Sequence, residues 1–329
     1  LTKIFMLGGG AWGLALAHSF AKGSNGANEV YVLSRRKLDL STNLTVSSSL
    51  ESKDISTKTI PSKNLFQITK EEFLERLDSK SLCVISIASA FMRDYLEKAK
   101  FPRDLKVLCV SKGIEQGSGA LMSDILECYF EKDNLCFLAG PTFAKEVLQG
   151  LPCAVSINSH NKALAERYAR CLPDFIKPYI KHDIIGAEVA GAYKNVIAIA
   201  GGISDGLRLG SNAKASLLAR GLVEMARFGK ALGGKNETFL GLAGSGDLFL
   251  TSSSTLSRNY RVGLALARGE SLDSILKDLG EVAEGVYSTK SICEIAAKHK
   301  LHVPIATEVN HILEGRDVLS SLKNLLKRG

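Results

Sequence analysis

Residues 3–22, KIFMLGGGAWGLALAHSFAK, run from one apolar stretch through spaced glycines into another. Few features restrict a fold more. Ile4–Leu7 reads as a buried strand, and Trp12–Lys22 carries apolar residues at helical spacing. Between them Gly8, Gly10 and Gly13 form a G-x-G-x-x-G. The first glycine permits a tight turn, the second lets a diphosphate approach the backbone, and the third lets helix pack on strand. The helix N-terminus then favours the anion, so the unit predicts dinucleotide binding. The same alternation continues along the chain. Val30–Leu33, Leu82–Ile87, Val107–Val110, Leu135–Leu138 and Ala154–Ile157 read as strands, and Phe91–Lys98, Ala120–Phe130 and Lys162–Cys171 as helices. Nearly continuous apolar strands with helices between them predict a parallel sheet covered on both faces, an α/β Rossmann-like doubly wound arrangement. Ser41–Lys58, rich in Ser, Thr and Asn and without periodicity, is expected to be a loop or poorly ordered insertion.

After the Pro173–Pro178 neighbourhood the pattern changes. "AKASLLARGLVEMARFGKALGG", "NYRVGLALARG", "STKSICEIAAKHK" and "PIATEVNHILEG" are helical in period, and several end in Gly. The expected division is an α/β domain over residues 1–181 and an all-α domain over 182–329. With 45% hydrophobic and 23% charged residues the chain has an ordinary globular profile. No apolar run approaches the roughly 20 residues that span a bilayer, and "KIFMLGGG" has no signal-peptide pattern. The seven cysteines are odd in number, scattered and mostly in apolar runs ("SLCVISIA", "VLCVSKG", "NLCFLAG"). Buried free thiols in a reducing cytoplasm are therefore expected. The net charge of +8 is dispersed, without a Lys/Arg-rich cluster or interleaved stacking aromatics, which disfavours a nucleic-acid partner and suits phosphorylated small ligands.

Several residues stand out as chemistry. Lys194 lies in "GAEVAGAYKNVIAIAGGI", where its helical neighbours Ala190, Gly191, Ile197 and Ala198 are small or apolar. Either its head snorkels to water or a buried anion meets it. Arg35 and Arg36 follow the second strand, where an acid would bind an adenosine 2′-hydroxyl; guanidinium groups there favour NADPH, with NADH as the alternative. Lys112 in "VSKGIE" and Gly140, Thr142 and Ala144 in "LAGPTFAKEV" follow strands, at the sheet edge that binds ligands. Asp247 follows a Gly-rich run in "GLAGSGDL", and Ser257, Arg258 and Asn259 open a helix suited to a phosphate. No His/Cys/Asp cluster suggests a metal.

These motifs occur together and in one order. "GGGAWGLALA", "SKGIE", "GPTFAKEV", "EVAGAYKNVIAIAGGISDGL", "NAKASLLARGLVEM", "TFLGLAGSGDLFLT", "LSRNYRVG" and "AEGVYST" closely resemble bacterial-type NAD(P)-dependent glycerol-3-phosphate dehydrogenase over nearly the whole chain. The resemblance implies reduction of dihydroxyacetone phosphate to sn-glycerol 3-phosphate, a phospholipid precursor, in the cytoplasm. It implies a helical domain like that of 6-phosphogluconate dehydrogenase, and it is compatible with a homodimer. Lys194 is implied as proton donor, acting as base in reverse. Lys112, Gly140, Thr142, Asp247, Ser257, Arg258 and Asn259 match substrate-contacting positions. Ala11, Trp12, Arg35, Lys112, Ala144, Arg258, Val282 and Glu284 match cofactor-contacting ones. In this frame Asp247 orients Lys194 and supplies its missing anion, while Lys112 adds a second cation for the anionic transition state.

Two stretches depart from the family. "TNLTVSSSLESKDIS" replaces a stretch ending in Tyr-Leu-Pro-Gly, and "ISIASAF" stands where a Val-Pro pair is usual. The rival readings are a β-hydroxy acid or ketopantoate dehydrogenase, for which "LSRN" beside "GLAGSGD" would be an unusual carboxylate clamp, and a non-catalytic dinucleotide sensor. A sensor would be expected to have lost Lys194 or Arg258.

Overall fold

The computed structural model describes residues 2–46, 56–61, 63–280 and 282–327. Ten strands occur among them: β1 (Thr2–Leu7), β2 (Asn28–Leu33), β3 (Ser41–Val46), β4 (Ser56–Pro61), β5 (Leu65–Ile68), β6 (Leu82–Ile85), β7 (Val107–Cys109), β8 (Leu135–Ala139), β9 (Cys153–Asn158) and β10 (Ile176–Lys181). Eight of them form one sheet in the order β10-β9-β8-β7-β6-β1-β2-β5. All its pairings are parallel except β8 with β9.

The apolar runs are continuous because both faces are covered. Along β1, Ile4 and Met6 pack with Leu16, Phe20 and Tyr168 on one face, and Phe5 and Leu7 with Phe73, Met92 and Leu96 on the other. The order places the ends of β1 and β6 side by side, with successive strands leaving to opposite sides. That is the crevice where open parallel sheets bind ligands.

From Ile184 onward the described chain is helical. A 23-residue core helix, Ile184–Gly206, is buried along most of its length. Around it pack Ser211–Ala231, Arg258–Ala267, Glu284–Lys298 and Pro304–Leu313. Its crossing with Arg258–Ala267 is close because glycines meet there. A Cβ on Gly202 would strike the Tyr260 carbonyl, and one on Gly263 the Ile199 carbonyl. That contact brings the start of the second helix beside the core helix. Glu224 bonds the Tyr193 hydroxyl at 2.8 Å and accepts from Ile305 N and Ala306 N, satisfying the amides at the start of Pro304–Leu313.

Several expectations need correction. Part of Ser41–Lys58 is not loop: β3 and β4 pair antiparallel as a ribbon outside the main sheet. Their Thr and Val content favours extended backbone, and a two-stranded ribbon needs no apolar alternation. The intervening residues 47–55 lie outside the described part. The parallel sheet reverses once, at β9. The chain change assigned to the Pro173–Pro178 neighbourhood contains a strand, β10, and Pro178 fits there because β10 is an edge. The strand expected to Ile87 ends at Ile85, and Ala120–Phe130 is helical only over Met122–Glu127. Short elements Lys70–Arg76 and Ala144–Gln149 carry too few residues to show a period. Finally, one run does reach membrane-spanning length and composition, the core helix itself, yet 89% of its most apolar window is buried inside the protein. All seven cysteines are free; four are buried and Cys128 is exposed.

Candidate active site at the seam of sheet and helices

The glycine turn lies at the end of β1. Gly8 has φ +118°, a region that side chains avoid, and a Cβ there would strike the Ser86 carbonyl just past the end of β6. A Cβ on Gly13 would strike the Gly8 carbonyl, so the helix Ala11–Gly26 sits directly on the turn. Gly10 is different: it precedes that helix, is exposed, and a Cβ would meet nothing within 4 Å. The turn is thus tight toward the protein and open on the outside, with helix amides that no side chain caps. This fits a dinucleotide diphosphate. Ala11 is exposed and Trp12 partly buried in the first turn of that helix. Beside the turn, Arg36 Nη2 donates to the Gly9 carbonyl at 2.9 Å, and Arg35 is exposed.

Lys194 does not snorkel. Its side chain is only 8% exposed, and its ammonium donates to Asp247 Oδ1 at 2.6 Å and Thr251 Oγ1 at 2.8 Å. The other oxygen of the same carboxylate accepts from Lys112 Nζ, also at 2.6 Å. Lys112 further donates to the Gly140 carbonyl, which Thr142 Oγ1 shares, both at 3.4 Å. Three separated sequence stretches therefore meet on one fully buried carboxylate, and a fourth, at Gly140 and Thr142, meets Lys112.

The electrostatics follow from that count. Burial pushes Lys194 down from 10.5 to about 8; Asp247 opposes the shift and the neighbouring Lys112 adds to it. Burial alone would raise Asp247, but the two ammonium groups outweigh it and hold the carboxyl below its ordinary range. Two cations on one anion leave the cluster with a net positive charge, suited to an anionic substrate.

A second group gathers around the start of the helix Arg258–Ala267. Ser257 caps it, accepting from Tyr260 N at 3.2 Å. Asn259 Oδ1 accepts from Gly285 N at 2.9 Å. Glu284, next to Gly285, accepts from Ser89 N at 3.1 Å and bonds Ser89 Oγ at 2.5 Å, joining the helical half to the sheet half. Burial raises the Glu284 carboxyl, while the Ser89 bonds and Arg258 oppose that rise. Added Cβ atoms show how close the groups lie: on Gly113 it would press on Ser89 and Glu284, and on Gly285 on Asn195. The lysine cluster and the helix start are therefore neighbours. Ala144 opens its own short helix and packs toward the glycine-turn face of the sheet, and Val282 is partly buried just before Glu284.

Thr251 and Ser89 were missed in the sequence. Thr251 had a signal, since it lies four residues after Asp247 and so on the same helix face. Ser89 had none, because its partner is 195 residues away.

The assembly of glycine turn, paired lysines and capped helix start agrees with known proteins along its whole length. Residues 3–165 match the family described as NAD-dependent glycerol-3-phosphate dehydrogenase N-terminus, and residues 183–323 the corresponding C-terminus. The glycerol-3-phosphate dehydrogenase (NAD(P)+) of Helicobacter hepaticus is 50% identical over 326 residues, covering 99% of this chain and 100% of its own. That of Bartonella bacilliformis is 50% identical over 331 residues, with the same coverage. The crystal structure of glycerol-3-phosphate dehydrogenase from Coxiella burnetii superposes with a TM-score of 0.84 at 32% identity, covering 99% of each chain. Sheet, helices and matched sequence span the same residues, and the chain belongs to the NAD-dependent glycerol-3-phosphate dehydrogenase family.

Proposed function

We propose that this chain interconverts dihydroxyacetone phosphate and sn-glycerol 3-phosphate, with NADPH preferred over NADH. The observation that supports this most is the Asp247 carboxylate bonded at 2.6 Å by both Lys112 and Lys194. The glycine turn and the helix Ala11–Gly26 would hold a reduced nicotinamide dinucleotide, whose contribution when bound would be hydride for the carbonyl carbon, leaving negative charge on the carbonyl oxygen. Lys194 gives that oxygen a proton: the N–H bond breaks, an O–H bond forms, and a neutral amine remains for solvent to reprotonate. An ammonium has three hydrogens; Asp247 and Thr251 take two, and the third is directed to substrate. Lys112, fixed by the same carboxylate, adds positive charge where the alkoxide develops.

Ser257, Arg258 and Asn259 serve as the phosphate-holding edge, with Ser257 and Asn259 already oriented by Tyr260 N and Gly285 N. Gly140 and Thr142 line the substrate side. Ala11, Trp12, Ala144, Val282 and Glu284 serve the cofactor, along with the glycine turn. Arg35 and Arg36, at the end of β2, support the preference for a 2′-phosphate. The test is the fall in nicotinamide absorbance when the enzyme meets dihydroxyacetone phosphate with NADPH or NADH. Turnover of ketopantoate with none of dihydroxyacetone phosphate would overturn the reading.

A further inference from the structure

The core helix carries a second buried charge-bearing residue that the proposed chemistry does not use. Glu188 lies six residues before Lys194 on this helix, and Gly191 stands midway, three residues from each. The Lys112 stem crosses the helix at that glycine: a Cβ on Gly191 would sit 3.4 Å from Lys112 Cγ. Lys112 therefore passes over the helix between Glu188 on one side and Lys194 on the other.

Glu188 also grips the far end of the loop that carries Lys112. Its Oε1 accepts from Ser123 N at 2.8 Å, and its Oε2 bonds Ser123 Oγ at 2.5 Å. Between Lys112 and Ser123 the chain closes on itself through an Ile114–Leu121 bridge and a 3.0 Å bond from Glu115 N to the Ala120 carbonyl. Glu188 and Ser111–Gly113 line one cavity of about 10 Å³, the size of a single water. Loop and helix are thus joined at two places, through the Glu188–Ser123 bonds and at the Lys112 stem over Gly191.

We propose that Glu188 is a positioning residue for Lys112, tying the Lys112 loop through Ser123 to the helix that carries Lys194, so that both ammonium groups converge on Asp247. This rests on Lys112 contacting substrate as described above. Burial pushes the Glu188 carboxyl up to about 8, with the Ser123 bonds opposing and Asp124 and Glu127 adding to the rise. It is therefore protonated near neutrality, and glutamine, which both donates and accepts, is its closest replacement.

The experiment is a double-mutant cycle on the full-length enzyme, measuring KM for dihydroxyacetone phosphate and kcat separately. Glu188→Ala is expected to raise KM about tenfold, with Ser123→Ala giving a smaller rise in the same direction, and Glu188→Gln to restore the wild-type value within about twofold. In a Lys112→Met background, Glu188→Ala and Ser123→Ala are expected to change KM less than about twofold, since the residue they act through is gone. Effects that multiply with Lys112→Met would overturn the proposal, as would Glu188→Gln performing no better than alanine. If Glu188→Ala does not fold, Ser123→Ala decides: an unchanged KM there overturns the proposal. A Lys112→Met enzyme with wild-type kinetics would instead remove the reading of the site, and this inference with it. That failure is distinguishable because it appears in the single Lys112 variant.

Discussion

The glycine turn and the lysine cluster are built on opposite principles. At the turn, function comes from side chains that are missing: Gly8 and Gly13 let backbone meet backbone, and Gly10 leaves the outside open. At the cluster, function comes from charges placed where a core would ordinarily exclude them, with Asp247 fully buried between two lysines. The first costs chain entropy; the second costs desolvation, which the shared carboxylate offsets. The difference teaches where each site is fragile. The turn should fail when atoms are added, and the cluster when a charge is removed.

The largest effect is expected at the cluster. Lys194→Ala removes the proton donor and should lower kcat by about a thousandfold, within the usual range for a general acid. NADPH binding, followed by nucleotide fluorescence, should persist because the turn belongs to a different element. Turnover close to wild type would break the contrast at once.

Asp247→Asn sharpens the same point, because it leaves the buried Lys194 ammonium and the half-buried Lys112 ammonium without their anion. Breaking a buried pair in this way costs about 3–5 kcal/mol, measurable as a lowered urea midpoint. It also moves a titration. In the intact enzyme Lys194 loses its proton near pH 8 rather than 10.5. Reduction needs the ammonium, so its kcat/KM should fall as pH rises through about 8; oxidation needs the amine and should rise through the same pH. The linkage has a definite sign: the folded value lies below the ordinary one, so burying the ammonium costs stability below pH 8, a cost relieved as pH climbs toward 10.5. Asp247 supports the charged form, so Asn should shift both limbs to lower pH. An alkaline limb that stayed fixed would mean another group titrates.

At the turn, Gly10→Ala separates binding from folding. Its Cβ meets no protein atom within 4 Å, and its backbone is extended, so the melting temperature should hold. The diphosphate approach is what the methyl would obstruct, raising KM for NADPH by about tenfold. Gly8→Ala, by contrast, should lower both stability and affinity, since it meets the Ser86 carbonyl at a positive φ. Equal melting losses in the two variants would dissolve the distinction between the tight and the open side.

These two regions also differ in how legible they were. The strand, turn and helix of the glycine site lie within 25 residues, so local spacing exposes them. Lys194 announced itself as a charge among apolar neighbours, but its partners lie 53 and 57 residues away, beyond any periodicity. Asp247 as the partner of Lys194 came from the resemblance, not from spacing, and its bond to Lys112 only from the structure. β5 and β10 escaped for another reason. They are the sheet's edges, where one flank is unpaired and the apolar signal is diluted by residues such as Gln67, Lys177 and Pro178. Glu188 was visible in its motif yet unread, because a buried carboxyl has meaning only once Ser123 and Lys112 are seen against it.

The smallest effect is expected at the arginines, where charge sits in water rather than in a core. Arg36 already donates to the Gly9 carbonyl, which leaves the exposed Arg35 as the better candidate for a 2′-phosphate. Arg35→Glu should shift the ratio of kcat/KM for NADPH over NADH by about fivefold toward NADH, the upper size of an exposed ion pair. Unlike the lysines held on Asp247, this contact is screened, so the shift should shrink as salt rises from about 0.01 M to 1 M. A ratio unchanged at low salt would place the 2′-phosphate elsewhere. A shift indifferent to salt would mean that Arg35 acts from a desolvated position, and that exposure alone does not divide the two regions.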